Sequence, residues 1–107
     1  MRAFDIPAVL DERAKTSRAY REFLRVPALS AGVYALAAGA ADPQEPHAED
    51  EVYLVLAGRA TFESGGAAIP VGPGTFLYVP AREAHRFVEI EEDLSLLVLF
   101  APAESGR

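Results

Sequence analysis

Glu45-Pro46-His47-Ala48-Glu49-Asp50-Glu51-Val52-Tyr53-Leu54-Val55-Leu56-Ala57-Gly58 runs from an acidic, histidine-bearing connection into a short apolar segment closed by glycine. An apolar run of this length bounded by turn residues reads as a β-strand, here over 51–56. Side chains alternate across a strand, so Glu45, His47 and Glu51, which share parity, project to one face wherever the chain stays extended. Tyr53 and Val55 continue that parity and face the same interior, as pocket lining or as plain core. A carboxylate carried into such an interior needs a cation or a hydrogen-bond donor, because burying it unpaired raises its pKa or unfolds the site. That sets Glu51 apart from Glu49 and Asp50, whose simplest reading is a solvated loop.

On either side of this stretch the chain breaks into further strand-like runs, at 20–26, 32–38, 59–63, 76–79, 85–90 and 94–100, each bounded by Gly, Pro, Asp or Ser. Ser64-Gly65-Gly66 reads as a hairpin tip and Gly72-Pro73-Gly74 as another tight turn. Short strands at even spacing predict an all-β sandwich, jelly roll or barrel. Ahead of them, residues 5–15 predict a short helix, with Asp5 as N-cap and Pro7 in the first turn. The 107 residues suffice for one core. One domain is therefore expected over 1–107, with a helical segment over 1–19 and the β-barrel over 20–101.

Ten basic against 16 acidic side chains give a formal charge of -6. That balance repels phosphate backbones and anionic headgroups, which argues against nucleic acid and membrane surfaces as partners. The chain has no cysteine, so a disulfide, a thiolate metal site and a Cys nucleophile are excluded. Met1-Arg2-Ala3-Phe4-Asp5 carries no apolar signal-peptide core, and no apolar run reaches the roughly 18 residues that span a bilayer. A soluble, cytoplasmic protein acting on a small molecule is the expectation. Tyr20–Val26, read as an exposed edge strand, predicts a homodimer.

The chain holds only two histidines, His47 and His85. His85 opens the run after Gly74 and Pro80, and Phe87 shares its parity and so its interior. Two imidazoles and one carboxylate, from His47, Glu51 and His85, form a ligand set suited to iron, manganese, nickel, copper or zinc. Three protein ligands leave positions open for water, dioxygen or substrate, as a catalytic site requires. Either histidine taken alone reads equally well as a hydrogen-bonded core or edge residue.

These two segments resemble the motifs of the cupin superfamily. Its first motif places a glycine, then His-x-His, then Glu, then Gly, and Gly39, Glu45-Pro46-His47, Glu51 and Gly58 stand at the corresponding places. Its second places Gly, Pro-x-Gly, His and Asn, matched in order by Gly74, Pro80-Ala81-Arg82, His85 and Glu89. The resemblance implies a double-stranded β-helix, a jelly-roll barrel, around a divalent metal. Three positions depart from it: Glu45 replaces the first histidine, Arg82 the second-motif glycine and Glu89 the asparagine. Glu45 is thus either a fourth ligand or, pointing away from the metal, the nearest general base. The resemblance implies an enzyme of oxygenase, isomerase or decarboxylase/lyase type, or a non-catalytic sensor or carrier, because this fold hosts many activities. Arg82 and Arg86 could receive an anionic substrate or simply face solvent.

Overall fold

Asp5 opens helix α1 (Ile6–Ala14) with Pro7 in the first turn, but its side chain makes no capping hydrogen bond. Val9 is the one buried residue of that helix, and Phe4 packs its ring 5.0 Å from that of Phe23. The computed structural model describes residues 1–105. Beyond α1 it contains β1 (Tyr20–Val26), β2 (Leu29–Leu36), β3 (Asp50–Ala57), β4 (Ala60–Ser64), β5 (Ala67–Val71), β6 (Phe76–Val79), β7 (His85–Val88) and β8 (Leu94–Ala101). They form two antiparallel sheets, one ordered β1-β2-β8-β3-β6 and the other β5-β4-β7. Among the described residues no helix is long and apolar enough to cross a membrane.

Period-two alternation carries the packing. In β8, Leu94, Leu96, Val98 and Phe100 are buried while the residues between them are partly exposed. In β3 the buried set is Glu51, Tyr53 and Val55, and in β7 it is His85 and Phe87. The apolar residues among these join Tyr34, Leu36 and Phe62 in one cluster. Leu96 is fully buried, and truncating such a side chain to alanine costs about 2–5 kcal/mol. Gly58 has φ +93, and a Cβ there would lie 2.3 Å from the Asp93 carbonyl oxygen. Only glycine satisfies both demands at the end of β3.

The strands match the sequence reading in type and order, with two informative differences. β2 begins at Leu29 rather than 32, because β8 is long enough to pair with it from Ser30↔Phe100 to Leu36↔Leu94. β5 was not foreseen: four of its five residues are exposed and it contains Pro70. A strand at a sheet edge tolerates proline and needs no apolar face, so neither propensity nor periodicity marks it. Gly65 (φ +57) and Gly66 (φ +82) form the turn between β4 and β5.

Candidate metal centre

Register brings the two histidine segments together. β3 is flanked by β8 and β6, with Glu51 opposite Phe100 and Val79. The chain after Val79 therefore turns back over the start of β3. There the Arg82 backbone N–H donates to the His47 carbonyl at 2.6 Å, and Ala81 N–H donates to Asp50 Oδ1 at 2.9 Å. Asp50 thus ties the turn ahead of His85 to the strand carrying Glu51, a role that its reading as a merely solvated residue missed. Glu49 corrects that reading outright: it is buried and accepts from the Ser105 hydroxyl at 2.6 Å.

His47, Glu51 and His85 present ligand atoms that lie within 4.8 Å of one another. His47 is half-buried on the connection before β3, with a bend at 48–49 between it and the strand. The uninterrupted extended run over 45–51 is therefore absent, and convergence comes from the bend. Glu45 is exposed and stands outside the group. The carboxylate beside His47 is Glu104, whose Oε2 lies 3.2 Å from His47 Nδ1. Glu104 reaches that position because its N–H donates to Ser30 Oγ at 2.9 Å and its carbonyl accepts from Arg25.

The protonation logic at His85 explains why the group suits a cation. Its Nδ1 lies 2.9 Å from the Glu83 carbonyl, which only accepts, so Nδ1 carries a proton and Nε2 turns inward. Nε2 meets Glu51 Oε1 at 2.9 Å and the Tyr53 hydroxyl oxygen at 3.2 Å. The Tyr53 proton is already committed to Gln44 Oε1 at 2.7 Å. Nε2 therefore faces acceptors, and a proton or a metal ion must sit between them. Burial opposes protonation of the ring, but the Glu51 carboxylate, the Glu83 carbonyl and the more distant Asp42 outweigh it and raise the His85 pKa above its ordinary value. Burial, reinforced by Glu51, pushes the Tyr53 phenol well above its usual range and keeps it neutral.

Glu51 shows the same need from its own side. It is 1% exposed, and neither carboxylate oxygen receives a well-directed hydrogen bond. Donors at about 2.1 Å stand about 3.0 Å apart around an octahedral ion and about 3.4 Å apart around a tetrahedral one, and the 2.9 Å between His85 Nε2 and Glu51 Oε1 is near the first. Imidazole and carboxylate donors suit a divalent ion, so the residues fit the group.

Asp42 organises the surroundings and was not foreseen. It is buried and accepts from Tyr34 Oη at 2.7 Å, Gln44 Nε2 at 3.0 Å and the Phe87 N–H at 2.9 Å. Gln44 in turn holds Tyr53, so the network runs from Asp42 to the His85 ring. Burial and the Asp42 hydrogen bond also raise the Tyr34 pKa. Two cavities adjoin the group. An inner one of about 140 Å³ is bordered by His47, Glu51, Tyr53 and Glu104, and a more open one of about 520 Å³ reaches His85 beside the β4–β5 turn. Val55 and Phe87, expected to line a pocket, border neither. They are 1% exposed and packed in the core, because Phe87 lies one alternation past His85 and Val55 two past Glu51. Arg82 and Arg86 are exposed, and Arg86 pairs with Glu63 at 3.1 Å.

An uncharacterized protein of Streptomyces coelicolor is 49% identical over 105 residues, covering 98% of this chain and all of that one. The glucose-6-phosphate isomerase of Pyrococcus horikoshii is 36% identical over 62 residues, 53% of this chain, and the match spans 33% of that enzyme's length. A solved structure of unknown function from Rhizobium leguminosarum superposes with TM-score 0.79 at 27% identity, covering 95% of this chain and 97% of its own. The cupin domain model matches residues 32–100, a span that contains both histidines, Glu51, all of β3 to β7 and most of β2 and β8; the chain belongs to the cupin family.

Proposed function

We propose that this cupin is a metal-dependent enzyme acting on a small organic molecule, with one divalent ion held by His47, Glu51 and His85. The observation that carries the reading is the inward-facing Nε2 of His85, set between two acceptor oxygens beside a buried carboxylate without well-directed donors. Such an ion, when bound, polarises a substrate oxygen or activates a ligand in an open position, the chemistry of oxygenases, isomerases and lyases alike. The protein's own groups set the conditions. The Glu83 carbonyl holds the His85 tautomer, and Glu104 holds one nitrogen of His47. Tyr53, kept neutral and oriented by Gln44, offers its hydroxyl oxygen toward the same point. The buried aromatic and aliphatic wall around it limits water. Similarity of part of the chain to an isomerase supports an enzyme over a passive carrier.

Elemental analysis of protein purified without chelator or metal-affinity tag tests the reading. Wild type should carry close to one divalent ion per chain. His47→Ala should lose most of it, because one of three protein ligands is removed and open-site affinity depends on each. Anaerobic loading with Fe(II), Mn(II), Ni(II) or Zn(II), followed by dioxygen-uptake and metabolite-turnover screens, then separates the reaction types. Equal metal content in both proteins overturns the proposal.

A further inference from the structure

We infer that the outer face of the five-stranded sheet, on β6, β3 and β8, is an interface that takes a second copy of this chain. Register sets what that face carries. Val52 stands opposite Tyr78 and Leu99, and Leu54 opposite Phe76 and Leu97. Two rows of three apolar side chains therefore cross the strands, on the side away from Glu51 and Tyr53. Each row continues onto β2, the Val52 row to Ala31 and the Leu54 row to Val33.

Exposure falls steeply along the rows. Phe76 and Tyr78 are 66% and 60% exposed, the four aliphatic residues are partly exposed, and Ala31 and Val33 are buried. Helix α1 lies against β1 and β2, and Val9, Ala31 and Val33 are buried outside the interior cluster. The chain thus covers one side of the face itself and leaves the other side bare. A relief results: aromatic rings stand along β6, the helix lies over β2, and the leucines of β8 occupy the trough between them.

Such a relief is self-complementary. Turned about a two-fold axis, a second copy seats its β6 ridge in the trough of the first and offers its own trough in return, as facing sheets interdigitate about 10 Å apart. Charge favours the same occupant. No charged residue stands in either row, so a strongly acidic or basic partner finds nothing there to pair with. Asp50, the next outward residue of β3, already accepts from the Ala81 N–H. A second copy carries the same formal charge of -6 and meets least repulsion at an uncharged surface. The β1 edge, by contrast, bears Arg21, Glu22 and Arg25, and charged side chains blunt edge pairing. Taking about 200 Å² per ring, the two aromatics leave roughly 250 Å² in water, and the four aliphatics raise the patch to roughly 400 Å². That is about half of the roughly 800 Å² each partner gives to a standard interface, with α1 and the strand ends left to form the rim.

Sedimentation velocity on the full chain, freed of metal by chelator, tests the inference without reference to the metal reading. Wild type should run at twice the 11.5 kDa of one chain. Phe76→Lys, on the ridge, and Leu97→Lys, in the trough, should each weaken association at least a hundredfold, because the symmetry buries the unpaired charge twice. Circular dichroism should show the wild-type fold in both. A second measurement needs no substitution: isotope-filtered NMR on a mixture of labelled and unlabelled wild type should give intermolecular contacts from the Phe76 ring to the methyl groups of Leu97 or Leu99. A monomeric wild type overturns the inference, whether the face then takes up a lipid vesicle, another protein or nothing. So does a dimer that survives Phe76→Lys in the folded protein, or one whose intermolecular contacts fall on β1.

Discussion

Arg82 occupies the left-handed region with φ +67, immediately before the segment that delivers His85. An L-residue there holds Cβ too close to the following carbonyl, at a cost of about 1–2 kcal/mol, and glycine escapes it. Replacing Arg82 by glycine removes that strain but adds about 0.4–1 kcal/mol of unfolded-state entropy. The difference leaves Arg82→Gly more stable by about 0.5–1 kcal/mol. For a domain of this size that is a rise in melting temperature of about 2–8 °C. The side chain is exposed, so its loss removes little packing, while the backbone N–H bonded to His47 O is retained. Arg82→Ala separates the two effects, since alanine loses the guanidinium but keeps Cβ. Urea denaturation and calorimetry on the three proteins should place glycine above arginine and alanine below glycine. If Arg82→Gly is no more stable than Arg82→Ala, the strain argument fails. The same logic explains Glu89 at φ +48: the family's glycine and asparagine positions are, among the described residues, the two left-handed non-glycine positions, and asparagine tolerates that region better than glutamate.

Asp42→Ala should destabilise by about 3–5 kcal/mol, because the Phe87 N–H, Tyr34 and Gln44 all lose their acceptor; urea titration showing a loss below 1 kcal/mol would deny Asp42 its organising role. Chelator should lower the melting temperature of loaded protein, with stabilisation near 2.7 kcal/mol when free metal stands at 100 times its dissociation constant. Because the His85 pKa is raised in the metal-free protein, protons compete with the ion, so affinity should fall on acidification from a pH above the ordinary histidine range, as calorimetric titration across pH would show. Pairing through the exposed edge of β1 is the rival route to a homodimer, and light scattering giving a monomer mass at working concentration would remove both.

The strands of the barrel and the two histidine segments were legible in the chain because period-two burial and turn residues are local signals. Leu94 to Phe100 alternates, and Gly58 punctuates, whether or not a neighbour is present. β5 escaped because an exposed edge carrying Pro70 has no apolar face to reveal it. Glu45 was given a role by its place in the motif, yet the bend after His47 leaves it in solvent. Glu104 and Asp42 carried no mark at all. A glutamate near the end of a chain reads as solvated until Ser30 and Arg25 seat it beside His47.

By itself, then, the order of residues determined the fold family, every strand but β5 and the three side chains with metal-ligating chemistry, since each follows from spacing within a short segment. Tertiary structure alone decided which carboxylate accompanies His47, which nitrogen of His85 turns inward and which side chains border the inner cavity. Those depend on distances across the sheets: Asp42 accepts from the backbone of a residue 45 positions away, and no local pattern encodes a contact between strands that only register and crossover bring together.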